Sequence, residues 1–285
     1  MKYYICDKKG PTINILKEIS ADEYAAWRKC TKQLRYYSMA KHFRDMAVQN
    51  GLEVEHYLKG IQQIKDPTAI KNMDATAIAQ KANRLMLNYL VSFRTYVDNL
   101  QAYSKHIKGG ALFKKNILNW IYDNEIVYSF FSHLRNFATH YSLIFDKATI
   151  EPTGFTLECS KEHILEYSEW KAIDKKYIES CDGESLPILE GVEHLNVLIV
   201  SIYFGFIQYF AEDIQDMHNQ VMPLMHEYQI LNPLFIESES ATNLSGANVL
   251  GLGLEILKEV TDELASLPNT NITYITPDQV LKGEI

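Results

Sequence analysis

No proline falls between Pro67 and Pro152, and within that stretch only Gly109 and Gly110 interrupt a helical pattern, so the middle of the chain is constrained to helix. Ile78, Ala82, Leu85, Tyr89, Phe93, Tyr96, Leu100 and Tyr103 recur at three- and four-residue steps, which is one face of a long helix turned to a core. Beyond the glycine pair, a short helix is expected over 112–122 and another over 123–145, packed as antiparallel neighbours in a bundle. The segment TIEPTGFTLEC (149–159) then alternates around Pro-Thr-Gly and reads as a small hairpin. Helical spacing returns over 162–177, CDGESLP is a loop, and an apolar helix runs over 192–228, bent or divided at Pro223.

The two ends read differently from the middle. A strand is expected at Tyr3–Cys6, and Ser20-Ala-Asp-Glu23 has the capping-box pattern that starts a helix. After Asn232-Pro233 the chain turns polar, with an amphipathic helix expected near 250–264 and a strand at 271–275. The sequence therefore divides into an N-terminal segment (1–66), a helical bundle (67–230) and a C-terminal extension (231–285). With 47% hydrophobic residues in 285, the chain is long enough to bury its own core.

A net charge of -8 excludes a globally basic nucleic-acid coat. The charge is nonetheless segregated. Residues 27–44 carry Arg28, Lys29, Lys32, Arg35, Lys41 and Arg44 and no acid, interleaved with Trp27, Tyr36, Tyr37 and Phe43. Cations beside aromatics bind phosphates and stack on unpaired bases, so this window is the candidate RNA-binding surface; the alternative is a solvated helix face whose aromatics point into the core. Leu195–Ala211 is uncharged, but it falls short of the ~20 residues of a membrane span and is flanked by Glu193, Glu212 and Asp213, so a buried core helix is expected and no membrane partner. Cys6, Cys30, Cys159 and Cys181 form no Cys-x-x-Cys pair and read as reduced thiols of a cytoplasmic protein, and the N-terminus MKYYICDKKG lacks the apolar core of a signal peptide.

The stretch that carries chemistry is SHLRNFATHY (132–141). On an ideal helix Val127, Phe130, Phe131, Leu134, Phe137, Ala138, Tyr141, Ile144 and Phe145 gather in one apolar stripe. Ser132, Asn136 and Thr139 hold the opposite face, bordered by Arg135 and His140, which stand about 140° apart at 100° per residue. Cleavage of an RNA phosphodiester needs a group titrating near neutrality to move protons and a fixed cation for the charge developing on phosphorus. His140 fits the first role and Arg135 the second; Asn136 orients the imidazole or binds a phosphate oxygen, and His133, Thr139 and Ser132 support them. Because Arg135 and His140 diverge, two copies related by a twofold axis would be needed to place four groups around one groove, which predicts a homodimer with the 123–145 helix near the axis. No metal site or other cofactor is expected: a bundle di-iron site needs two Glu-x2-His pairs and only Glu53-x2-His56 has that spacing, while Gly246, Gly251 and Gly253 build neither a dinucleotide nor a phosphate loop.

Arg135-Asn136-x3-His140 resembles the signature of the HEPN superfamily, and the likeness extends over roughly 68–230, through NRLMLNYLVSFRTYVDNL, the motif helix, the hairpin and the later apolar helix. The resemblance implies a mainly α fold: a HEPN-like antiparallel helical bundle with a small β-hairpin and N- and C-terminal extensions. It implies a metal-independent endoribonuclease, with Arg135 and His140 catalytic and Asn136 supporting, of the kind that serves as a toxin or phage-defence effector. Its partners would then be RNA, a second copy and an antitoxin or other regulatory protein. A catalytically silent RNA- or protein-binding module and a structural dimerisation protein remain the alternatives.

Overall fold

The computed structural model describes residues 1–9, 11–66, 68, 70, 72–151, 154–230, 233–240 and 246–267. The protein is mainly helical with small antiparallel sheets, and it forms two compact units that interleave along the chain. The first unit takes 1–39, 103–110 and 206–285; the second takes 40–102 and 111–205.

In the first unit, β1 (Lys2–Lys9), β2 (Thr12–Ile19), β5 (Leu234–Ser238) and β6 (Asn248–Gly251) form an antiparallel sheet in the order β2-β1-β5-β6. Tyr4 pairs with Ile236 and Ile5 with Phe235, so the two ends of the chain build one sheet, whereas the sequence divides them into separate segments. The expected strand at Tyr3–Cys6 is the middle of the longer β1, and its partner β2 went unread because Thr12–Ile19 mixes lysine and glutamate into its alternation. Tyr4, Cys6 and Ile236 bury one face of the sheet with Ile13, Ile15 and Leu234, while Phe235 stacks on Trp27 at 4.6 Å from the other. Trp27 belongs to α1 (Ala21–Gln62), which begins at the expected capping box: the Ser20 N–H donates to Glu23 Oε2 at 2.8 Å and the Glu23 N–H to Ser20 Oγ at 3.1 Å. A turn after residue 104 is held by the buried Asp213, which accepts from the Lys108 N–H at 2.8 Å and from Gln33 Nε2 at 2.7 Å. Only glycine fits that turn, since a Cβ on Gly110 would lie 1.6 Å from the Ser104 carbonyl oxygen.

The second unit is helical. α2 (Ala75–Ser104) buries the expected face, with Ala82, Leu85, Tyr89, Phe93, Tyr96 and Leu100 all in the core. A continuous helical run follows as α3 (Gly110–Phe113), a π-helical turn (Lys114–Asn119) and α4 (Trp120–Asn124). Glu125 is extended and separates this run from α5 (Ile126–His140). The helix expected over 123–145 is thus shorter at both ends. β3 (Lys147–Glu151) and β4 (Gly154–Glu158) form the expected hairpin in a register that pairs Glu151 with Gly154. The helix expected over 162–177 is divided into α6 (Lys161–Leu165) and α7 (Ala172–Ser180), because Trp170 turns inward and donates its indole N–H to the Ile164 carbonyl at 2.6 Å.

α8 (Ile188–Tyr228) is undivided, with Pro223 inside it, and its most apolar stretch is 56% buried, as befits a core helix. After β6, α9 (Leu254–Ser266) starts four residues later than expected, at Gly253 with φ +68°. The strand expected at 271–275 lies outside the described residues.

Candidate functional site

α5 changes character along its length. Its first half is enclosed: Tyr128, Ser129, Phe130, Phe131, Ser132, Leu134 and Phe137 are buried, and Phe130 and Phe137 both stack on Trp170, at 5.5 and 6.0 Å. Ser132, assigned to the outward face from the helical wheel, is inside and returns its hydroxyl to the Tyr128 carbonyl at 2.8 Å. The wheel fails there because α5 is covered on more than one side.

His133 is also drawn in. Its Nδ1 stands 2.8 Å from Asp174 Oδ2, an ion pair when the imidazole is protonated, but out of line for a hydrogen bond. Asp174 is fully buried, caps α7 by accepting the Lys171 N–H at 3.1 Å, and leaves Oδ1 without a partner. On its other side the imidazole meets the Tyr122 hydroxyl at 3.4 Å, and that hydroxyl accepts from Lys171 Nζ at 2.5 Å. A chain of Lys171, Tyr122, His133 and Asp174 therefore ties α4, α5 and α7 together. Nothing in the spacing of Tyr122, Lys171 and Asp174 links them to the motif, so no sequence pattern marks this cluster.

The second half of α5 is open. Arg135 is half-buried and donates from Nη1 to Asn136 Oδ1 at 3.1 Å. Its Nε is buried without a hydrogen-bond partner, and it makes no ion pair among the described residues, so none of their carboxylates neutralises it. Thr139 is exposed and bonds back to the Arg135 carbonyl at 2.9 Å, a local bond that leaves the hydroxyl committed to the helix. His140, the last residue of α5, is exposed and has no hydrogen-bond or ionic partner among the described residues. Next to it Tyr141 stacks obliquely on Tyr167 at 5.5 Å and donates its hydroxyl to Glu166 Oε2 at 3.3 Å; desolvation and then the Glu166 carboxylate hold this phenol above its ordinary pKa, hence protonated as a donor.

The helix stops where it does because of Asn83. This buried α2 side chain accepts the N–H groups of Ile144 and Phe145, both at 2.9 Å, and donates to the Phe145 carbonyl at 3.0 Å, so residues 144–145 are bonded to α2 instead of continuing α5. Beside this clamp a groove of about 250 Å³ is lined by Gln80, Arg84, Leu87, Ala138, Leu143 and Ile144. The exposed Arg84 therefore places a second cation beside the last turns of α5, a residue the sequence did not single out.

The basic window of α1 is divided between the two units. Arg28, Lys29, Lys32 and Arg35 are exposed in the first, opposite the buried Cys30, Gln33, Leu34 and Tyr37. Trp27 and Tyr37 are buried, and Tyr36 stacks on Tyr103 and His106, each at 5.0 Å, with Lys32 Nζ 5.8 Å over its ring, so these aromatics serve packing within the fold. In the second unit Lys41 is half-buried and Arg44 lies 4.0 Å over the Tyr203 ring while bonding Asp45, so Arg44 is spent within the fold. Among the described residues no three His, Cys, Asp or Glu side chains gather in a group that could hold a metal ion. No protein-family model matches the chain, and neither does any curated protein or solved structure.

Proposed function

We propose that the protein is a cytosolic, metal-independent endoribonuclease of the HEPN type, a toxin or phage-defence effector that cuts RNA at the open half of α5. The observation that carries this reading is the pairing of an unneutralised guanidinium with an unpartnered imidazole: Arg135, tethered to Asn136, lies on the same two helical turns as the exposed His140. A half-buried cation without a counter-charge is costly to hold and is suited to an anionic ligand. In the proposed reaction the 2'-hydroxyl attacks phosphorus and the P–O5' bond breaks, giving a 2',3'-cyclic phosphate; His140 takes the 2'-hydroxyl proton or supplies one to the departing 5'-oxygen, and Arg135 stabilises the charge on the phosphoryl oxygens. A second copy would bring its own Arg135 and His140 to the groove.

The test uses the purified full chain with RNA in excess chelator. Cleavage leaving 2',3'-cyclic phosphate and 5'-hydroxyl ends, with DNA of the same sequence intact, is expected, because DNA lacks the attacking hydroxyl. His140→Ala and Arg135→Ala should each slow cleavage by at least ~100-fold while the circular dichroism of the parent is kept. Folded variants that cut as fast as the parent would sink the assignment. The exposed Arg28, Lys29, Lys32 and Arg35 favour a second reading, an RNA-binding module that does not cut; in the same assay it would bind RNA in a salt-dependent way and yield no product.

A further inference from the structure

Away from α5, the second unit exposes an apolar seam. The run α3–π turn–α4 lies antiparallel to α8, as two contacts fix: a Cβ on Gly205 would meet Ile117 Cγ1 at 3.1 Å, and Glu125 Oε2 bonds His194 Nε2 at 3.2 Å. Trp120 stands between those levels on one helical run, with Leu112 just beyond Ile117, and Val197 and Phe204 stand between them on the other; Leu112, Trp120, Val197 and Phe204 are exposed by 55, 54, 65 and 38%. Eight residues separate the first pair and seven the second, so each pair lies on one helix face. Counting outward from the Ile117–Gly205 contact, both faces turn to the same side of the helix pair. The α8 part of the seam belongs to the uncharged run Leu195–Ala211. Large apolar side chains exposed together, one of them tryptophan, mark an interaction surface.

Charge selects the occupant. On the α3–α4 run the exposed Lys114 and Lys115 lie toward the Phe204 end of the seam, and the exposed Asp123 toward the Val197 end. A twofold axis crossing the seam at right angles would lay this run antiparallel on its own copy, bringing the lysines of one copy to Asp123 of the other, twice. We infer that this seam docks a second copy of the chain, through Trp120, Val197 and Phe204 at its centre and reciprocal Lys115–Asp123 pairs at its rim. An anionic membrane fits less well, because Asp123 and Glu125 sit at one end of the same surface. The inference goes beyond the ribonuclease reading and stands or falls without it, since the seam uses no residue of α5.

Sedimentation equilibrium of the full chain over 1–50 μM at moderate salt tests it. Self-association is expected, and Trp120→Glu combined with Val197→Glu should remove the step made through the seam, lowering the mass of the folded protein across that range. Lys115→Glu and Asp123→Lys, each alone, should weaken association several-fold, and the two together should restore it, a recovery that loss of fold would not produce. A monomeric parent, an association that the glutamate pair leaves unchanged, or a monomer that floats with anionic vesicles overturns the inference.

Discussion

His133 and His140 lie seven residues apart on the same side of one helix, and their surroundings are opposite. His133 is wedged between Tyr122 and the buried Asp174, whereas His140 stands in solvent with no partner among the described residues. Helical spacing gives both the same direction. It says nothing about which turns another element covers. Here α7 and α4 cover the turn of His133, and at the other end the clamp by Asn83 stops α5 at His140. The comparison teaches that one helix holds an enclosed imidazole and an exposed one, and that the enclosed one was as visible in the sequence as the other.

The largest effect expected from breaking this contrast is on stability. Asp174→Ala removes the cap of α7 and, where His133 is protonated, the counter-charge of a buried pair, which should cost about 3–5 kcal/mol in urea denaturation. His140→Ala should change stability by no more than about 0.5 kcal/mol, as for an exposed side chain without contacts. If the two variants lose stability equally, the division of α5 into closed and open halves is wrong.

A smaller loss is expected at the clamp. Asn83→Ala strands the N–H groups of Ile144 and Phe145 in the core, which should cost about 1–3 kcal/mol, and faster hydrogen exchange at exactly those two amides would locate the damage. Exchange unchanged at 144 and 145 would show that another group holds them.

The smallest effect compares two aspartates that hold backbone N–H groups, one in each unit. Burial raises the carboxyl pKa of Asp213 against the opposing bonds from Lys108 and Gln33, so its contribution grows as pH falls through the raised folded value toward the ordinary 3.8. For Asp146, desolvation is the largest single influence and acts upward, yet the hydroxyl and N–H of Ser160 together outweigh it and leave the pKa lowered. Its contribution is full above 3.8 and is lost as pH falls toward the lowered value. Denaturation of Asp213→Asn and Asp146→Asn between pH 3 and 6 should therefore show differences from the parent that move in opposite directions with acid. Parallel curves would contradict the two environments.

Much of the secondary structure was legible because its causes are local. Ser20 and Glu23 lie within one turn and cap each other, the strands on either side of 152–153 alternate as a hairpin should and pair Glu151 with Gly154, and the buried face of α2 is written in its three- and four-residue steps. Arg135, Asn136 and His140 were likewise visible as a spacing. Asp174, Tyr122 and Arg84 were not, because each meets α5 from a segment distant in the chain, and no pattern within a helix encodes which remote residue will face it.

The sequence by itself determined most of the helical segments, where α1 begins and which residues of α2 face the core, since these follow from backbone geometry and from bonds spanning a few residues. Only the tertiary structure decided that β1 pairs with β5, that α5 ends at His140, that His133 is half-buried against Asp174 while His140 is exposed, and that Trp27 and Tyr37 pack inward beside exposed cations. Each of those outcomes depends on how much of a group is removed from water by a part of the chain far away in sequence, and that burial exists only once the fold has closed.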